Sequence, residues 1–69
     1  MEKTHLEKIG FKYHEAFENW YLEFKEYELS IRFRNDKAIV RVHHNATSII
    51  VPNCETKKDL DRLIRLFKV

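Results

Sequence analysis

Between Leu29 and Val51 apolar and polar residues mostly alternate. Beyond Pro52 the spacing changes, and Leu60, Leu63, Ile64 and Phe67 recur at helical intervals. Successive side chains on a strand point to opposite faces, whereas a helix returns to one face every three or four residues. A pattern that passes from a period of two to one of about 3.6 therefore describes a sheet followed by a helix able to cover one of its faces. The chain has 69 residues. That is one domain over 1–69, with a thin core, since a chain of this size buries only about 60% of the surface its unfolded form exposes. Cys54 is the only cysteine, so no internal disulfide can help. Stability rests on nine aromatic residues, five Phe, three Tyr and Trp20, and on any association with a partner.

Read along the chain, the first ten residues suggest a short helix, with Thr4 placed to cap it and Gly10 where helices commonly stop. Phe11 and Tyr13 alternate with Lys12 and His14 as on a short strand, and Glu15 to Asn19 reads as a turn. Trp20, Leu22 and Phe24 alternate with Tyr21, Glu23 and Lys25, and Glu26 and Tyr27 lie near a reversal. On the next strand Leu29, Ile31 and Phe33 face the core, opposite Ser30, Arg32 and Arg34. Asn35-Asp36-Lys37 suits a hairpin connection, because Asn and Asp tolerate left-handed backbone. Ala38, Val40 and Val42 then face inward, with Ile39, Arg41 and His43 outward. Asn45 and Ala46 turn the chain into a short strand over Ser48 to Val51, which Pro52 ends. Thr56-Lys57-Lys58-Asp59 opens the final helix like a capping box, with Asp in place of Glu or Gln. The expected fold is α+β: an antiparallel meander of four or five strands, a C-terminal helix packed on one face and a short N-terminal helix.

No catalytic, cofactor-binding or metal motif stands out, and no nucleophile, base and oxyanion donor can be proposed together. His43 and His44 are neighbours on a strand and point to opposite faces, so the pair is poorly placed to grip one ion. Cys54 lies just before the last helix, where a thiol can be activated; a buried structural role is the plainer reading. The outward strand residues make a candidate partner-binding set: Tyr21, Lys25, Arg32, Arg34, Arg41 and His43. Arginine and tyrosine are favoured anchors in protein interfaces. The same set could hold RNA phosphates and stack a base. The plain alternative is a solvated face carrying cross-strand ion pairs such as Glu23 with Arg32 or Arg34.

Charge is unevenly spread. Residues 1–28 carry four lysines and seven acids, a net −3. Residues 29–69 carry nine Lys and Arg and four acids, a net +5, and the halves together make the chain's +2. A bipolar domain is suited to steering toward a charged partner. Glu15, Glu18, Glu23, Glu26 and Glu28 sit among Phe17, Trp20, Tyr21, Phe24 and Tyr27, a mixture able to mimic nucleic acid before a basic groove. Lys57, Lys58, Arg62, Arg65 and Lys68 make the outer side of the last helix basic. No apolar run reaches membrane-spanning length and the charged N-terminus is not a signal peptide, which points to the cytoplasm and away from membranes.

The short opening Leu6-Glu7-Lys8-Ile9-Gly10-Phe11, the aromatic and acidic hairpin, and the closing Asp59-Leu60-Asp61-Arg62-Leu63-Ile64-Arg65-Leu66-Phe67 helix form a layout that resembles small orphan α+β proteins of phages and mobile elements, including anti-CRISPR inhibitors. The resemblance covers the whole chain as a layout and carries over no functional residue. It implies a non-enzymatic inhibitor that binds an RNA-guided nuclease, its guide-RNA complex or another host defence protein. Direct RNA or single-strand binding is the alternative, and self-association through a free sheet edge, giving a homodimer, is a third.

Overall fold

The computed structural model describes residues 2–68, with Lys68 described by its backbone alone, so the place of the Lys68 side chain on the basic helix side lies outside the described residues. Helix α1 (Lys3–Ile9) is followed by strands β1 (Lys12–His14), β2 (Asn19–Glu23), β3 (Glu28–Arg34), β4 (Lys37–His44) and β5 (Thr47–Val51), and by helix α2 (Lys57–Lys68). The strands form one antiparallel sheet in chain order, β1-β2-β3-β4-β5. This is the α+β meander that the alternation predicts, with all five strands present.

Register explains which face is sealed. Trp20 lies opposite Ile31, Leu22 opposite Leu29, Ile31 opposite Val40, and Phe33 opposite Ala38. These rows share one side, and with Leu6 and Phe11 from the N-terminal segment and Leu60 and Ile64 from α2 they enclose the buried core. Both helices therefore cover the same face. They touch each other where His5 Nε2 lies 3.4 Å from Asp61 Oδ1. Burial of these side chains is the main stabilising term, at about 25 cal/mol per Å² of apolar surface. Trp20 contributes bulk at a cost, since its buried Nε1 has no hydrogen-bond partner among the described residues.

The helix ends show where local chemistry decides structure. Thr4 does not cap α1: it lies inside the helix, whose N-cap is Glu2 without a side-chain bond. The backbone carbonyl of Glu2 already accepts the N–H groups of His5 and Leu6, so the helix begins earlier than the Thr4 reading allows. At the other end Gly10 stands at φ 117°, where its N–H donates to the carbonyls of Glu7 and Leu6. A Cβ there would meet Leu22 Cδ1 at an ordinary 3.6 Å, so only the backbone resists substitution. Gly10→Ala is expected to cost about 1–2 kcal/mol, the penalty of left-handed backbone for a residue with a Cβ, read as a lower denaturant midpoint at unchanged slope.

The capping box at α2 forms as the sequence predicts. Asp59 N–H donates to Thr56 Oγ1 at 3.2 Å, while Asp59 Oδ2 accepts the N–H groups of Thr56 and Glu55 at 3.2 and 3.3 Å. Hydrogen bonds from Thr56, by its side chain and then its backbone, followed by the Glu55 N–H, hold the Asp59 carboxyl below its ordinary range. Its contribution to stability is thus present above the unfolded carboxylate range and lost as pH falls through the lower folded-state value. Thr56→Ala is expected to cost about 1 kcal/mol. In thermal melts the gap between wild type and Asp59→Asn should close as the solution is acidified; a gap that persists in strong acid counts against this account.

The tight turns follow residue type. Asn35 and Asp36 take φ of 51° and 64°, as a two-residue hairpin with the twist of its strands requires. Asn45 takes φ 57° between β4 and β5. The β2–β3 connection closes without glycine through Phe24 N–H donating to the Tyr27 carbonyl at 2.7 Å. Beside it, Tyr27 stacks on His44 and packs against Phe67, with centroids 4.7 and 5.0 Å apart. Neither helix is long and apolar enough to cross a membrane.

Candidate binding face

The side of the sheet away from the helices is built from the other half of each strand. Register sets out its rows. Lys12, Tyr21, Ser30, Arg41 and Ile50 run across all five strands. His14 lies opposite Asn19, and Arg32 opposite Ile39. Glu23, Glu28, His43 and Ser48 form another row, and Arg34 lies opposite Lys37. Of the six residues expected on this face, five are on it: Tyr21, Arg32, Arg34, Arg41 and His43. Lys25 lies beyond the strand, since β2 ends at Glu23 and the chain bends at Lys25 and Glu26; from the turn it lines a hollow of about 290 Å³ with Glu23, Glu28 and His43 at the end of the face. The alternation continues in the sequence past the point where the backbone leaves the sheet to make the turn.

Three features give this face its shape. Ser30, only 8% exposed, shares a hydrogen bond of 2.8 Å with His43 Nε2. Arg32 Nη2 donates to the backbone carbonyl of Phe17 at 2.6 Å, so the β1–β2 turn is tied down over the sheet. The Phe17 ring stays 61% exposed, 4.8 Å from the His14 ring, and His14 in turn lies 6.1 Å from Tyr21. A phenylalanine is an unusual turn residue, and this one sits beside the arginines of the open face. The Ser30–His43 bond was not legible in the sequence, since it joins residues on adjacent strands whose register is set by the hairpin.

Two hollows meet on this face. One, of about 240 Å³, has Arg32, Arg34 and Arg41 in its lining with Ser30 and His43. The other, of about 360 Å³, holds Glu23 and Glu28 with His14 and Tyr21. Phe17, Asn19 and His43 line both. The expected ion pairs of Glu23 with Arg32 or Arg34 do not form. Register sets Glu23 against Glu28 instead, because the β2–β3 turn brings the acidic ends of the two strands together. Among the described residues none of the three arginines has a carboxylate in salt-bridge range. The face is thus bipolar, with its basic part uncompensated. A hollow of about 500 Å³ lies elsewhere, lined by Lys3, Asp36 and Glu55 with Phe33; its charges are mixed.

The face offers guanidinium donors, an imidazole and exposed ring surface side by side. Ser30 and His43 have nucleophile–base spacing, yet the serine is buried, and no carboxylate lies within salt-bridge range of His43 among the described residues. Ser30 also lies on the central strand, where backbone N–H groups serve the ladders on both sides. The Ser30–His43 bond holds the imidazole toward the arginine side. His44 points to the helix side and stacks on Tyr27, so the two adjacent histidines separate as strand geometry requires. Among the described residues no three His, Cys, Asp or Glu side chains gather where they could hold a metal ion. Cys54 is buried. Burial, and then the nearby Asp59 carboxylate, push its thiol pKa up, the opposite of the shift that activates a nucleophile. No protein-family model, curated protein or solved structure matches this chain.

Proposed function

We propose that this chain is a non-enzymatic, cytoplasmic binding protein that docks its open sheet face on a partner protein. The partner class that fits the layout is an RNA-guided nuclease or another host defence protein, whose guide or target engagement the bound domain blocks, in the manner of an anti-CRISPR inhibitor. The observation that carries the reading is the set of three arginines without carboxylate partners among the described residues, gathered on one side of a sheet whose other side packs against the helices. A desolvated arginine with pre-set geometry is a strong interface anchor. Glu23 and Glu28 on the same face favour a protein surface over a phosphate chain, which they would repel.

Affinity capture from host lysate at mild salt, with wild type beside the Arg32→Glu, Arg41→Glu double variant, tests this. The expected result is a partner identified by mass spectrometry that the wild type retains and the variant does not. A partner held equally by both, or none at all, overturns the assignment of the face. Direct single-strand RNA binding is the second reading, favoured by Phe17 and Tyr21 exposing ring surface near the arginines. It requires a mobility shift that weakens steeply as salt rises.

A further inference from the structure

The two edges of the sheet are built differently. β1 is three residues long and carries Lys12 and His14, the shortness and charge that usually protect an edge. β5 is five residues, Thr47-Ser48-Ile49-Ile50-Val51, with no charged side chain. Ile49 is 64% exposed and Ile50 56%, one on each face of the sheet. Apolar side chains are therefore wet on both sides of an unpaired strand. His44 opposite Thr47 closes a two-residue hairpin. In such a hairpin the closing pair exchanges both backbone bonds and the pattern alternates from there. Thr47, Ile49 and Val51 thus direct their backbone groups to β4, while Ser48 and Ile50 direct theirs outward. Pro52, next in that outward series, has no N–H and ends the ladder.

We propose that β5 pairs with β5 of a second copy, antiparallel about a two-fold axis at Ile49. Ser48 of each copy then exchanges backbone bonds with Ile50 of the other, and the two Ile49 side chains meet at the close, non-hydrogen-bonded position, with Cα atoms about 4.5 Å apart. The strand is self-complementary in this register, since no charge opposes a like charge. Charge also argues for a second copy across the wider sheet. The row ending in Arg41 and Ile50 runs on into Ser48, His43, Glu28 and Glu23 of the second copy, so basic and acidic halves alternate along the joined face. Pairing consumes both β5 edges and leaves only the two protected β1 edges, which closes the assembly as a dimer. Both helix layers lie on one side and both arginine sets on the other. An interface confined to one strand pair is at the small end for specific complexes, so the dimer dissociates on dilution.

Sedimentation velocity from micromolar to millimolar protein, joined to amide hydrogen exchange at the same concentrations, tests the pairing. The expected result is a mass that doubles with concentration, with the Ser48 and Ile50 amides slowing in step. Ile49→Lys sets two ammonium groups face to face across the axis and is expected to keep the chain monomeric throughout. Ser48→Pro removes an outward amide and should weaken the dimer at least tenfold, while Lys12→Ala on the other edge leaves it unchanged. Thermal melts confirm that these exposed-site variants stay folded. A strict monomer at millimolar concentration overturns the proposal, as does a dimer that survives Ile49→Lys in the folded state. Protection of Ser48 and Ile50 only when a different protein is added also overturns it, and assigns the edge to that partner.

Discussion

Ile31→Ala is expected to leave much of the protein unfolded at physiological temperature. Ile31 is fully buried on the central strand, between Trp20 on β2 and Val40 on β4. Removing a buried isoleucine to alanine costs about 2–5 kcal/mol, the transfer term plus the cavity that remains. At roughly 0.05–0.15 kcal/mol per residue, a domain of this length has only about 3–10 kcal/mol in total. There is no disulfide to limit the loss, and the core has one layer. Urea unfolding followed by Trp20 fluorescence measures the effect directly. Ile39→Ala, on the open face of the next strand, should cost less than about 1 kcal/mol by the same measurement. Equal costs at the two positions would mean that the sealed face has been wrongly assigned.

The second large effect concerns binding rather than folding. Arg32→Glu with Arg41→Glu is expected to weaken the captured partner at least 100-fold, about 3 kcal/mol. Stability should stay within about 1 kcal/mol of wild type, because both side chains are exposed. The size of the effect follows from geometry. The Arg32 guanidinium is already held by the Phe17 carbonyl, so little ordering is left to be done on binding. Arg32→Lys keeps the charge and loses the planar donor set, and should fall between wild type and the double variant. Isothermal titration across a salt series separates the two readings of the face. A protein partner shows a modest salt dependence. A single-stranded nucleic acid shows a steep one, and its slope against log salt shrinks by about 1.4 when two phosphate contacts are lost.

What was legible in the sequence was whatever repeats within a single element. The alternation over β3 and β4 placed Arg32, Arg34, Arg41 and His43 on one face, because strand geometry assigns faces by parity. The Thr56 to Asp59 spacing placed the start of α2, because a cap is a contact within one turn. The Thr4 reading failed because the Glu2 carbonyl could open α1 without any side chain. Lys25 sits in the turn rather than on β2, because alternation does not mark where a strand yields to its turn. Glu23 faces Glu28 rather than an arginine because the residues in the β2–β3 connection, not the charges, decide which ends come together.

The order of polar and apolar residues alone was enough to specify an antiparallel sheet with one greasy side, a covering C-terminal helix and an arginine-bearing reverse side. Periodicity is local, and each residue's face follows from its neighbours in the chain. The meeting of Ser30 with His43, the tether from Arg32 to Phe17 and the exposure of Ile49 beyond the reach of the helices belong to the tertiary structure. They depend on cross-strand register and on how much of a five-stranded sheet two short helices can cover, and both are settled only when separate segments pack against one another.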